Sequence, residues 1–286
     1  MRHIPYACPA SVDEVVELLA RQEGARVIAG GTDLLVQLLH GVERPTMFIS
    51  VHAVEALREV RAEGDTLHVG SAVTLARIVD DPMIREAAPL LSKAAATMAS
   101  PPVRSRGTIG GNLCNASPAA DLAPPLLVHE ARVVVRGQAG ERSLPLSEFL
   151  VGPGETALGP SELVTEVVVP KLPREMVVGH LKHQVGVCGN LSIISIAVGL
   201  ALEGEQCTDA RVALGAVART AARYPEVEEK LLGRSPRDEA TVSEAAAMAG
   251  RSCSPIDDVR ASCDHRCHLV EALLPRLIES TLSGGE

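Results

Sequence analysis

Two glycine pairs, far apart in the chain, constrain the fold more than any other feature. The first lies in VIAGGTDLL, Val27 to Leu35, and the second in TIGGNLCNASPAAD, Thr108 to Asp121. A helix interior disfavours each glycine by about 1 kcal/mol relative to alanine. A solvated linker has no use for Ile109, Leu113 and Cys114 in one run. A glycine pair lets main-chain N–H groups approach a ligand with no Cβ in the way. Successive N–H groups in such a turn form an anion nest, and a helix starting after it adds its own free donors. Gly30-Gly31-Thr32-Asp33 before a helix and Thr108-Ile109-Gly110-Gly111-Asn112 both suit this pattern. Thr32, Thr108 and Ser117 add hydroxyl donors. Ionised Asp33 and Asp121 repel phosphate, so they suit helix caps or sugar and ribityl hydroxyls. Two nests fit a dinucleotide pyrophosphate better than a single phosphate. Neither loop has the GxGxxG or GxxxxGK[ST] spacing. Taken singly, each also reads as an ordinary structural corner.

The chain has 286 residues, which suggests two domains. Apolar residues make up 46%, enough for a packed core, while aromatics are 1% and tryptophan is absent. A bound ring system therefore meets aliphatic or backbone walls. A net charge of −9, with no basic patch interleaved with aromatics, argues against nucleic acid. The longest apolar run, Leu191 to Leu202, is too short to span a membrane. MRHIPYACPA has no signal-peptide core. A cytoplasmic protein is expected. Seven scattered cysteines, none in a CxxC, point to no disulfide scaffold, iron–sulfur cluster or structural zinc. In CDHRCH, Cys263, Cys267 and His268 share a helix region and read as packing residues; no metal is expected.

Local patterns set the element order. Ser11 and Glu14 form a capping box before the helical spacing of Val15, Val16, Leu18 and Leu19. ARVIAG, TMFISV, DTLHVGSAV, ARVVVRG and ELVTEVVVP read as strands. Asp33 is placed to cap LLVQLLHG, which stops at Gly41. TLARIVDD reads as a helix broken by Pro82. Ile84 to Met98 reads as one helix ended by Pro101-Pro102. DLAPPLLVHE opens another. After the charged link KLPRE come three strand candidates, Val177 to Gln184, Leu191 to Leu202 and Asp209 to Val217. Helical segments follow over Tyr224 to Leu232, Asp238 to Arg251 and Asp264 to Leu282. Strands first and helices after imply an α+β layer with helices on one face. The composition shift places a domain boundary at about residue 172, giving domains 1–172 and 173–286.

AGGTDLL, then RxRGTIGGNLxNASPAAD from Arg104, then ELVTEVVVP, resemble the FAD-binding (medium) subunit of the molybdenum hydroxylases, the xanthine dehydrogenase and carbon monoxide dehydrogenase family. DDVRASCDHRCHLVEALL from Asp257 is similar to that family's carboxy-terminal helix region. The resemblance covers essentially the whole chain. It implies an α+β fold, with a two-part FAD domain of the vanillyl-alcohol oxidase and p-cresol methylhydroxylase type. A small domain, a three-stranded antiparallel sheet with helices on one face, follows. It implies FAD contacts from Arg26, Val27, Ile28, Ala29, Gly30, Gly31, Thr32 and Asp33, from Gly107, Thr108, Ile109, Gly110, Gly111 and Asn112, and from Ser117 and Asp121. Leu163 and Lys182 stand where the family supplies further flavin contacts; as residues alone they read as a core strand position and a solvated charge. The chain departs from the family at Gly186, where an arginine is frequent, and at Asn190, where an acid is frequent. Of the few aromatics, Tyr6, Phe48, Phe149 and Tyr224, the last is the candidate beside the flavin ring, although as a residue alone it reads first as helix-start packing. No cysteine-rich insert for an extra iron–sulfur cluster is present.

The resemblance also implies partners. A large molybdopterin subunit oxidises the substrate, a small [2Fe–2S] subunit relays electrons, and this chain passes them on, often to NAD. Purines or other N-heterocycles are the substrates the pattern points to first, with aldehydes and carbon monoxide also open, because the substrate pocket lies in a different chain. No side-chain acid or base is required, so binding residues rather than a catalytic residue are expected. A stand-alone flavin oxidase of the same fold is the alternative. It would place an acid–base or aromatic cluster over the flavin. His180, His183, His265 and His268 read as surface or packing residues. A scaffold without flavin is the third reading, and intact glycine loops argue against it.

Overall fold

The structure, a computed structural model, describes residues 4–186 and 190–284. The chain opens with a small parallel sheet. Strand Phe48–Ser50 lies between Tyr6–Ala7 and Arg26–Ile28. Helix Val12–Arg21 connects the outer two, and the Ser11 hydroxyl caps it by accepting from the Glu14 N–H at 3.2 Å. The Glu14 carboxylate reaches back to the Ala10 N–H at 2.9 Å, the reciprocal half of the box shifted by one residue. Val15, Val16 and Leu19 bury one helix face against Ile49, Val51, Val54 and Leu57.

A five-stranded antiparallel sheet follows, in the order Val60–Glu63, Thr66–Gly70, Leu163–Pro170, Arg132–Gly137, Gly140–Pro145. ELVTEVVVP thus supplies its central strand. The two edge strands escape the sequence reading because Arg61, Glu63, Glu141 and Arg142 interrupt any apolar alternation. Charged edges of this kind resist pairing with other chains.

Between Thr66–Gly70 and Arg132–Gly137 runs a set of short helices. Here the prolines act differently from the expectation. Ile84 to Met98 is not one helix: Pro82–Ala87 and Pro89–Thr97 are separate, with Ala88 between them at φ −140°. Pro82, Pro89 and Pro101 each open a helix at its first position rather than only ending the one before. The first-turn N–H has no intrahelical acceptor, so its loss costs nothing there and the fixed φ helps.

The carboxy-terminal sheet is antiparallel, Met176–Gln184, Ser192–Glu203, Gln206–Gly215, and gains a short fourth strand, Ala222–Arg223, beyond the three expected. Helices Pro225–Leu231, Glu239–Ser252 and Cys263–Leu282 cover one face, where Ile194, Ile196, Val198, Leu200, Val212 and Leu214 meet Val227, Ala245, Val270 and Leu274. The other face is also covered. It carries small residues, Ser195, Ala197, Gly199, Ala213 and Gly215, and packs on helix Ala123–Val128 of the amino-terminal part. A Cβ on Gly199 would come within 3.2 Å of Val128, and one on Gly215 within 3.0 Å of Pro124. The longest apolar run of the sequence is therefore a strand buried on both sides. Among the described residues no helix is long and apolar enough to cross a membrane.

Candidate functional site

The first glycine loop leaves strand Arg26–Ile28 and enters helix Leu34–Leu39. Gly31 turns the chain at φ +71°, the left-handed region where glycine carries no steric penalty. Among the described residues, the N–H groups of Gly30, Gly31, Thr32 and Asp33 meet no protein acceptor. Four consecutive free donors make this an open nest. Asp33 occupies the cap position, but its side chain makes no cap hydrogen bond. Its carboxylate instead lies 3.5 Å from the Asn115 amide. The Arg26 side chain turns away to Glu43 at 3.0 Å, while Val27 and Ala29 are half-buried above the first core cluster.

The second loop comes directly against the first. A Cβ on Gly30 would sit 1.9 Å from the Arg106 carbonyl oxygen and 3.0 Å from the Gly107 nitrogen. The following helices are tied as well, by the Gln37 amide donating to Asn115 Oδ1 at 2.9 Å. The two runs quoted from the sequence therefore form one continuous surface.

The second loop differs from the nest its glycines suggest. Thr108 caps helix Ile109–Cys114 and accepts from the Gly111 N–H at 3.0 Å. The Ile109 N–H donates to Val73, that of Gly110 to Ser71 and that of Asn112 to Thr108. Those four amides are occupied, and the glycines serve close approach. Gly110 admits the Ser71 main chain, whose oxygen would be 2.7 Å from a Cβ. Gly111 meets only the Thr108 hydroxyl and is otherwise open to solvent. Nearby, Asn112 Oδ1 is buried with no partner.

Ser117 accepts from the Ala119 N–H at 3.2 Å and so shapes the turn leading to Asp121. Asp121 is buried and pairs with Lys182 at 2.8 Å, their side chains 5% and 3% exposed. The Ser192 hydroxyl donates to the other carboxylate oxygen, and Lys182 also lies 3.4 Å from the Thr97 carbonyl. Lys182 is thus no solvated charge: it crosses between the two parts of the chain. His180 and Gln184 share its strand face by alternation. His180 Nε2 and Gln184 Oε1 are buried without partners. Burial, with the Lys182 charge alongside, pushes the His180 pKa down to about 4, so it is neutral at pH 7.

Other residues fall elsewhere. Leu163 is 5% exposed and packs in the core cluster beneath the first loop. Burial in the carboxy-terminal core, with Cys253 alongside, raises the Tyr224 pKa, so the packing reading of this residue is the one the structure carries. Gly186 turns at φ +77°, and Asn190 donates to the Val185 carbonyl. His265 and His268 are exposed. Cys253, Cys263 and Cys267 are half-buried near one another, while Cys188 lies outside the described residues. Among the described residues no three ligand side chains converge on a metal position. Ser192, Gln37 and Asn115 were not singled out by sequence reasoning. Their signals are present: Ser192 interrupts an apolar strand, and Asn115 sits inside the second glycine run.

The family described as the FAD binding domain in molybdopterin dehydrogenase matches residues 2–172, 171 of 286 residues. The chain belongs to this family. The CO dehydrogenase flavoprotein C-terminal domain matches residues 188–281. The xanthine dehydrogenase FAD-binding subunit of Escherichia coli O157:H7 is 29% identical over 280 residues, 97% of this chain and 96% of that one. The nicotine 6-hydroxylase medium subunit of Paenarthrobacter nicotinovorans is 32% identical over 276 residues, 96% of each chain. Among solved structures, a chain of the carbon monoxide dehydrogenase of Hydrogenophaga pseudoflava superposes with a TM-score of 0.95 at 29% identity, covering 99% of both chains. The protein is an FAD-binding medium subunit, the oxidoreductase flavoprotein component of a multi-subunit xanthine dehydrogenase-like complex.

The residues present fit FAD. Among the described residues the four N–H donors of the first loop have no protein acceptor, Gly111 leaves the second loop bare, and Asn112 Oδ1 and Gln184 Oε1 are buried acceptors without a protein donor.

Proposed function

We propose that this medium subunit takes electrons from [2Fe–2S] clusters in a small partner, supplied from substrate oxidised at molybdopterin in a large partner, and hands them to NAD or another acceptor. The substrate class is a purine or other N-heterocycle, a reading supported by relatives named for xanthine and nicotine oxidation. The observation that carries the reading is the contact of the two glycine loops, Gly30 against Arg106 and Gly107, around a run of unoccupied N–H groups.

In this proposal the N–H groups of Gly30 to Asp33 and the hydroxyls of Thr32, Thr108 and Ser117 hold the pyrophosphate. Arg26 to Ala29 and Gly107 to Asn112 frame the dinucleotide. Leu163 supports it from below, through the core under the first loop. Asp121 orients ribityl hydroxyls or the ring edge, and the Lys182 charge favours the anionic reduced ring. Residues 1–172 bind FAD, and 173–286 close over them. When bound, FAD supplies one-electron acceptance and two-electron delivery. The chain's own work is to bind, orient and exclude water, and no general acid or base is assigned.

The test is anaerobic. The purified chain is expected to bind FAD and to stay oxidised with purines or nicotinate alone, and to bleach once its partner subunits are added. Bleaching of the isolated chain by a small organic substrate would instead make it a self-sufficient flavin oxidase. Failure to take up FAD would overturn both readings.

A further inference from the structure

Among the described residues, the most buried guanidinium is remote from both glycine loops in sequence yet is wired to the second. Arg266 lies in the first turns of helix Cys263–Leu282 and is 2% exposed. Its Nη1 donates to the Ile193 carbonyl and to the Ala216 carbonyl at 3.2 Å, and its Nη2 donates to Asp258 at 2.8 Å. Ile193 is the extra residue of a bulge in strand Ser192–Glu203, and Ala216 follows strand Gln206–Gly215 at φ +65°. Both carbonyls lie where the ladder offers no main-chain partner. Burying them unpaired is costly, and the planar fork of arginine satisfies both at once.

Each clamped residue is also one bond from the Ser117–Asp121 segment. Ser192, the neighbour of Ile193, donates to Asp121, and the Ala216 N–H donates to the Pro118 carbonyl at 2.7 Å. We infer that Arg266 is a positioning residue of the flavin site: it fixes the main chain at Ile193 and Ala216 and thereby holds the Ser117–Asp121 segment from two sides. The inference rests on the function proposed above. Arg266 itself touches neither glycine loop. Asp258 keeps the guanidinium in place, and is itself held by Arg260 and by two main-chain N–H groups.

The experiment uses the full chain, with FAD binding by equilibrium dialysis, the visible flavin bands, and the melting temperature. Arg266→Met is expected to weaken FAD binding about tenfold, the effect of loosening one or two hydrogen bonds, and to shift the flavin bands. Arg266→Lys, which keeps one carbonyl contact, recovers part of the affinity. Val242→Ala, a core change in the neighbouring helix, lowers the melting temperature and leaves affinity and bands unchanged. An Arg266→Met chain with wild-type affinity and bands, whatever its melting temperature, overturns the inference. Should that chain not fold, Asp258→Asn takes its place, expected to weaken binding about threefold by releasing the guanidinium; wild-type affinity there is equally fatal. A wild-type chain that binds no FAD overturns the proposed function as well, so the two failures are distinguishable.

Discussion

Replacing Gly30 by alanine tests the meeting of the two loops directly. The new Cβ would lie 1.9 Å from the Arg106 carbonyl oxygen and 2.5 Å from its carbon. Both are main-chain atoms, so no side-chain rotation relieves the clash. Carbon and oxygen need roughly 3.5 Å, so the loops must part by about 1.5 Å. Forcing extra volume into a packed contact destabilises by about 1–3 kcal/mol. The effect on the ligand is separate. If the pyrophosphate draws donors from both loops, parting them removes about one charge-assisted hydrogen bond, about 2 kcal/mol, or roughly thirtyfold in Kd. Gly111→Ala supplies the contrast. Its Cβ meets only the Thr108 hydroxyl, at 3.0 Å, and it sits inside a helix, where alanine is favoured by about 1 kcal/mol. That chain is expected to melt no lower than wild type and still to lose FAD, because a methyl group occupies the bare surface. Fluorescence titration of FAD gives the affinities and thermal unfolding gives the stabilities. A Gly30→Ala chain that binds FAD as tightly as wild type would refute the reasoning, since the loops would then not act together.

The Asp121–Lys182 pair is expected to be strongly structural: Lys182→Met strands a buried carboxylate and should cost about 3 kcal/mol in urea unfolding, with Asp121→Leu added to it costing less than the sum of the two single changes. Equal and additive losses would show that the charges do not depend on each other. His129 is fully buried, donates its Nδ1–H to the Pro170 carbonyl at 2.9 Å, and has its pKa pushed down to about 4 by burial. Because the folded value lies below the unfolded one, the stability this neutral ring contributes is present above pH 6.5. It is lost as pH falls towards 4, by up to about 3 kcal/mol. A flat unfolding free energy across that window in wild type, or a His129→Gln chain with the same slope, would remove His129 as the cause. Among the described thiols, the exposed Cys8 should react readily with a disulfide reagent at pH 8, whereas Cys253, pushed up to about 12, should react only on unfolding. Rapid native modification of Cys253 would contradict its burial.

Residue order alone settled the local parts of this molecule. Ser11 with Glu14 and the spacing of Val15, Val16 and Leu19 announce a capped amphipathic helix, because capping and burial of one face act within a few residues. The two glycine runs were likewise legible as places where the main chain must approach something closely. Proline was the main local ambiguity: Pro82, Pro89 and Pro101 are compatible with ending one helix or starting another, and only the course of the chain decides which.

Tertiary structure decided what the glycines face. Gly30 is bare for the Arg106 carbonyl and Gly110 for Ser71, whereas Gly111 is bare towards solvent, a distinction that no local pattern encodes. It also decided that Lys182 belongs to Asp121 and Ser192, and that small residues on one side of Ser192–Glu203 receive helix Ala123–Val128. Local propensity and capping depend on neighbours in the chain. Which donors remain unoccupied, and which charges are paired, depends on segments that meet only after the chain has folded.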